Sequence, residues 1–213
     1  MTKASSKSDQ TKALIMRAAI LVFTERGFEG STLRDIANEA GSNMGLIRYY
    51  FGNKADLYRD TLAYIAEPYN SACLQALSEA QNAKASLEEL LYAWLAAPYT
   101  HWSDDALVTG EELLCFLNKM AYESQELTHE VYESHYSFAL QQWQEAMEEA
   151  LPQMQRADWL WCLTCLRGMY FNIVAHNDFT LWSLPVISNK QLALRRLAAD
   201  TAHLLQSYQS NKS

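Results

Sequence analysis

The run Phe28-Glu29-Gly30-Ser31-Thr32-Leu33-Arg34-Asp35-Ile36-Ala37-Asn38-Glu39-Ala40-Gly41, continued at Gly45-Leu46-Ile47-Arg48-Tyr49-Tyr50-Phe51-Gly52-Asn53-Lys54, decides how the chain folds. Thr32 and Asp35 stand three residues apart, the spacing of a reciprocal helix cap. Leu33, Ile36, Ala37 and Ala40 then make a short apolar stripe that Gly41 closes. Ser42 to Phe51 reads as a further short helix, and Asn53, with Asp56 three positions on, caps a longer one starting at Lys54. Two short helices around the turn Gly41 to Asn43 form a pair of the helix-turn-helix type. Such a pair cannot bury its own apolar faces. Its walls must come from the helix starting at Lys54 and from one starting at Thr11. In the latter, Ile15, Ala18, Ala19, Val22 and Phe23 recur at helical spacing before Gly27 stops it.

Outward from this segment, composition narrows the rest. The chain has 213 residues, 49% hydrophobic and 20% charged, which is enough to bury a sizeable core. Gly occurs 7 times and Pro 4 times, and after Gly52 only Gly110 and Gly168 remain. Sandwiches, barrels and doubly wound sheets need denser turn punctuation, so long helices are expected. The charge-free run Leu90 to Ser103 contains Pro98 and is shorter than the ~20 residues of a spanning helix. With a polar start and no membrane segment, the expected location is cytoplasmic, and the four cysteines read as reduced thiols.

The net charge of −8 is unevenly placed. Residues 1–60 carry 9 Lys and Arg against 7 Asp and Glu, whereas residues 61–213 carry 8 against 18. A slightly basic head on an acidic body would approach DNA in one orientation only.

The expected organisation is a flexible arm at 1–9, a helix-turn-helix domain at 10–60 and a larger helical body at 61–213. Pro68 is expected to kink or interrupt the fourth helix. Further helices are expected near 84–98, 104–121, 124–150, 154–178 and 189–208, separated by Pro98, Pro152, Pro185 or polar runs. In the longest, Tyr132, Tyr136, Ala139, Trp143, Ala146 and Ala150 share one face. Ser188 and Gln191 suggest a cap for the last helix.

The segment quoted first resembles the DNA-binding domain of the TetR family of transcriptional regulators, over roughly residues 12–60. The resemblance implies an all-α protein: an N-terminal three-helix helix-turn-helix domain and a larger C-terminal ligand-binding and dimerisation bundle. It implies that Met44, Gly45, Leu46, Arg48 and Tyr49 face the major groove of double-stranded operator DNA. Arg34 would reach a base, and Thr32, Tyr50 and Lys54 would hold the phosphate backbone. Ser42 and Arg48 depart from the family, which usually has an aliphatic and an aromatic residue there. A serine would loosen the turn, and an arginine would add a bidentate guanine reader.

The implied function is a repressor released from a palindromic operator by a small-molecule effector. It would act as a homodimer built on the helices near 154–178 and 189–208, with no membrane partner. A DNA-binding architectural or division-control factor without a ligand is the alternative, and an enzyme in the acidic aromatic body is a second one. No serine elbow or phosphate-cradling glycine loop supports the enzyme. No cofactor or metal is expected: Cys162 and Cys165 lie in an apolar helical stretch, and His129 and His135 lack a helical zinc spacing. An effector pocket would draw on the rings and polar groups of the body. Its expected lining is Trp94, Trp102, Glu111, Phe116, His135, Phe138, Trp143, Tyr170, Asn172 and His176.

Overall fold

A computed structural model describes residues 7–102, 106–174 and 189–210. Its described residues form α-helices and no strand: α1 (Lys7–Arg26), α2 (Leu33–Glu39), α3 (Met44–Phe51), α4 (Lys54–Asn82), α5 (Leu87–Thr100), α6 (Gly110–Met120), α7 (Gln125–His135), α8 (Ser137–Ala150), α9 (Arg156–Val174) and α10 (Lys190–Ser210). The all-α expectation is met.

The chain forms two compact units. The first comprises residues 1–68 and 103–136, the second residues 69–102 and 137–213. In the first unit the buried side chains include Ile15, Ala19, Ile20 and Phe23 of α1, Ile36 of α2, Ile47 of α3 and Leu57 and Tyr58 of α4. Edge-to-face ring contacts tie the layers, with Phe23 and Phe28 at 4.8 and 5.3 Å from Tyr58. Helix α6 closes this core with Phe116, whose ring lies 5.9 Å from Tyr58. Arg17 of α1 donates to the Leu107 carbonyl and pairs with Glu112 at 3.4 Å. Glu123 accepts the Phe28 N–H at 2.7 Å.

The second unit is built on α5 and α10, with α8 and α9 completing its core. Trp143 is fully buried there; it stacks on Trp94 at 5.9 Å and donates Nε1–H to the Cys73 carbonyl at 3.1 Å.

Several boundaries differ from the sequence expectation. Helix α1 begins at Lys7, so Lys7 to Asp9 belong to a helix and not to an arm. Helix α4 runs through Pro68 without interruption. A proline removes one backbone donor, but here both flanking turns are anchored, by Leu62, Ile65 and Ala66 before it and Ala72, Cys73 and Ala76 after it. Likewise α5 continues past Pro98 to Thr100. The expected helix over 124–150 is two helices, α7 and α8, that meet at Tyr136. Tyr136 is buried and its hydroxyl donates to the Leu62 carbonyl at 2.8 Å, so a long-range hydrogen bond holds the break. At the start of α10, Asn189 accepts the Leu192 N–H at 3.0 Å and supplies the cap; Ser188 and Pro185 lie outside the described residues.

Candidate nucleic-acid interface

Helix α2 starts with the reciprocal cap read from the sequence. Thr32 Oγ1 accepts the Asp35 N–H at 3.2 Å, and Asp35 accepts the Thr32 N–H at 2.9 Å. The Thr32 hydroxyl also donates to the Asp35 carboxylate. Arg26 reaches that carboxylate at 3.0 Å. These hydrogen bonds, the Thr32 hydroxyl's first and the Arg26 charge after it, hold the Asp35 carboxyl below its ordinary 3.8.

The turn into α3 relies on Gly41, whose φ of +57° favours a residue without Cβ, and Ser42 N–H closes it on the Ala37 carbonyl at 2.9 Å. Asn43 Oδ1 accepts the Leu46 N–H at 3.0 Å and caps α3. A Cβ on Gly45 would stand 3.0 Å from that same oxygen, so glycine clears the cap as well as the surface. Ser42 Oγ is buried and finds no hydrogen-bond partner among the described residues. This is the physical cost of a serine in place of an aliphatic side chain at the turn.

With Ile47 turned into the core, Met44, Gly45, Leu46, Arg48 and Tyr49 are exposed together on one edge of α3. Arg34 and Thr32 are exposed on α2. Tyr49 is the extreme case at 80% exposure, a large ring that gains nothing from solvent in the free protein.

Two residues expected to hold phosphates are placed differently. Lys54 turns its ammonium inward: Nζ donates to the Phe28 carbonyl at 2.7 Å and the Ser31 carbonyl at 3.0 Å, and lies 4.2 Å from the Phe28 ring centre. It braces the loop between α1 and α2. Tyr50 is only half-buried. Its hydroxyl accepts a hydrogen bond from Ser8 at 3.3 Å, and its ring carries the Lys12 ammonium 5.3 Å above its centre. Sequence reasoning missed Ser8 and Lys12, although their spacing of four on one helical face was visible.

The side chains expected to line an effector pocket are dispersed. In the first unit Phe116 is fully buried core, Glu111 is half-buried and His135 is exposed on α7. In the second, Trp143 and Trp94 are stacked core partners and Tyr170 is packed against the core. Burial pushes the Tyr170 phenol well above its ordinary value. Trp102 is half-buried, whereas Phe138 and Asn172 are exposed. His176 lies outside the described residues. A cavity of about 320 Å³ in the second unit is lined by Met147, Glu148, Leu151, Pro152, Met154, Arg156 and Trp159. Rings that pack on one another, as Trp94 and Trp143 do, fill space and do not enclose it.

Among the described residues, no group of three His, Cys, Asp or Glu side chains is arranged to hold a metal. No described helix is long and apolar enough to cross a membrane.

Comparison with known proteins assigns the chain to two family models. Residues 15–61 match the model of bacterial regulatory proteins of the tetR family, and residues 93–205 match that of the tetracyclin repressor-like C-terminal domain. The second match alone spans just over half of the chain. The chain belongs to the TetR family.

Among curated relatives, the transcriptional repressor NicS of Pseudomonas putida is 32% identical over 91 residues, which is 42% of this chain and 43% of NicS. The match spans less than half the length of NicS, CecR and YttP. Among solved structures, the fatty acid degradation regulator FadR of Bacillus halodurans aligns over 91% of this chain and 97% of its own, with a TM-score of 0.60 and 18% identity. FadR of Bacillus subtilis, solved in complex with stearoyl-CoA, aligns over 88% and 97% with a TM-score of 0.56 and 16% identity. These structural likenesses carry the fold across both halves of this TetR-family chain.

Proposed function

We propose that this regulator represses transcription by binding a palindromic operator as a homodimer and is released by a small-molecule effector. Residues 10–60 would read the DNA and residues 61–213 would bind the effector and the second copy. The observation that carries the reading is the exposed edge of α3, where Arg48 and Tyr49 stand beside Met44, Gly45 and Leu46 with no ion-pair partner for Arg48 among the described residues. A guanidinium in that setting can donate twice to a guanine edge. Arg34 on α2 extends the same surface, and the Thr32 cap holds the start of that helix.

A dimer is favoured by the exposed apolar side chains of α9 and α10: Leu160, Trp161, Met169, Leu192 and Leu204. Two heads one helical turn apart, ~34–36 Å, would read two half-sites. Effector binding is favoured by the match to the C-terminal domain model and by the ability of this fold to carry stearoyl-CoA in a FadR structure. Because α6 and α7 pack into the same unit as the head, a ligand that displaces α6 acts on α1 directly. A coupling of ~1–3 kcal/mol would lower operator affinity by roughly 5–150-fold.

The deciding experiment is selection of bound duplexes from genomic fragments by the purified protein, followed by light scattering. A recovered palindrome and a mass near twice 24.3 kDa are expected. Absence of any retained duplex at low salt refutes the proposal. Arg48→Ala should relax preference at one base pair per half-site; an equal loss on every sequence would reduce Arg48 to a phosphate contact.

A further inference from the structure

Nine Lys and Arg residues lie in residues 1–60, and the structure divides them by task. Arg17 is engaged by Leu107 and Glu112, Arg26 by Glu25 and Asp35, Lys54 by the Phe28 and Ser31 carbonyls, and Arg59 by Asp56. These four cations are engaged within the protein. Lys3 lies outside the described residues. Lys7, Lys12, Arg34 and Arg48 remain, exposed and without an ion-pair partner among the described residues. Two of them belong to α3 and α2, the reading edge already described. The other two belong to the first turns of α1, a segment that sequence reasoning treated as arm and wall.

Lys12 is not placed at random on that helix. Ser8 and Lys12 stand one turn apart, and both reach Tyr50 at the end of α3: Ser8 by its hydroxyl at 3.3 Å and Lys12 by its ammonium over the ring face at 5.3 Å. The Tyr50 ring in turn meets Tyr49 edge-on at 5.1 Å. The first turn of α1 is itself secured by the Thr11 hydroxyl, which donates to the Lys7 carbonyl at 2.9 Å. The sequence of contacts Lys12, Tyr50, Tyr49 therefore runs from α1 to the exposed edge of α3 and aims a positive charge alongside it. An exposed ring face attracts an ammonium by roughly 0.5–1 kcal/mol, enough to bias a long side chain but too weak to sequester it. It leaves the three N–H groups of the ammonium able to donate elsewhere.

We infer that the first turns of α1 form a phosphate-binding edge of the DNA interface, with Lys12 as the contact and Tyr50 as its positioning residue. The inference rests on the DNA-binding reading and moves the backbone-gripping cation from Lys54, which the fold uses, to Lys12. The partner is the sugar-phosphate backbone, so the contribution is independent of base sequence and strongly dependent on salt.

The test measures affinity against potassium chloride concentration on two duplexes, one recovered by the protein from genomic fragments and one of unrelated sequence. Wild type, Lys12→Ala, Lys12→Gln, Lys12→Arg, Tyr50→Leu and the Lys12→Ala/Tyr50→Leu double variant are compared, with helix content checked by circular dichroism. Removing the charge at Lys12 should shallow the log–log salt slope by about one unit per bound protomer on both duplexes, and Lys12→Arg should restore it. Tyr50→Leu should weaken binding, and the double variant should lose little beyond Lys12→Ala alone. A slope unchanged by both Lys12→Ala and Lys12→Gln, in a protein whose wild type binds, overturns the inference and leaves the DNA-binding reading intact. Fully additive losses in the double variant overturn the positioning role of Tyr50. Salt-independent or absent binding by wild type overturns the DNA-binding reading itself.

Discussion

Lys54 distinguishes a cation that builds the head from one that grips a ligand. Replacing it by Met keeps the apolar stem but deletes the ammonium that bridges the Phe28 carbonyl at 2.7 Å and the Ser31 carbonyl at 3.0 Å. A hydrogen bond to a charged donor contributes ~1.5–3 kcal/mol, and a cation over an exposed ring adds roughly 0.5–1. The site is half-buried, so water can recover part of both losses. A net destabilisation of about 2 kcal/mol is expected, equal to roughly 4–8 °C in Tm for a chain of this size. Thermal and urea unfolding followed by circular dichroism reads this directly. In parallel, the salt slope of DNA binding by Lys54→Met at a temperature where it is folded should match wild type. An unchanged unfolding midpoint combined with a shallower slope would refute the reasoning, because it would mean that the ammonium serves phosphate and not the α1–α2 loop.

Other perturbations follow from the same geometry. Ser42→Ala removes a buried hydroxyl that has no partner among the described residues and should stabilise the protein by about 1 kcal/mol, read as a higher urea midpoint. Trp143→Phe deletes the donor to the Cys73 carbonyl and leaves space beside Trp94, so a loss of about 2–3 kcal/mol is expected in the same assay. The Cys73 thiol is buried and pushed up to about 12, so it should resist alkylation at pH 8 in the native protein and react once urea unfolds the chain, as mass spectrometry would show. The Asp35 carboxyl is lowered from 3.8, so its contribution to stability is present above that value and fades as pH falls through the lower native one. Asp35→Asn should remove that part of the acid sensitivity, and an unaltered acid-unfolding curve would contradict the assignment.

How much of this was readable in advance depends on how far apart the interacting groups lie. The caps at Thr32 and Asp35 and at Asn53 and Asp56, and the left-handed turn at Gly41, were read correctly because each involves residues within three or four positions of one another. Local backbone geometry is then almost sufficient. The exposed edge of α3 was also readable, since Ile47 and its helical spacing leave Met44, Leu46, Arg48 and Tyr49 on the other side. An effector pocket leaves no such local signal. Phe116 and Trp143 are large aromatics of the kind a pocket uses, yet both fill cores, and nothing in their neighbours along the chain distinguishes the two uses.

The helical class, the paired short helices and the family were thus set by short-range pattern: periodicity, caps and the placing of a few glycines. Folding in three dimensions decided which cations are available. Lys54 and Lys12 look alike along the chain, but one faces two backbone carbonyls from residues more than twenty positions away and the other faces a tyrosine ring. The break at Tyr136 was decided the same way, by a carbonyl seventy-four residues upstream. A hydrogen bond between distant segments leaves no periodic trace in either of them, so only their meeting in space assigns each side chain its work.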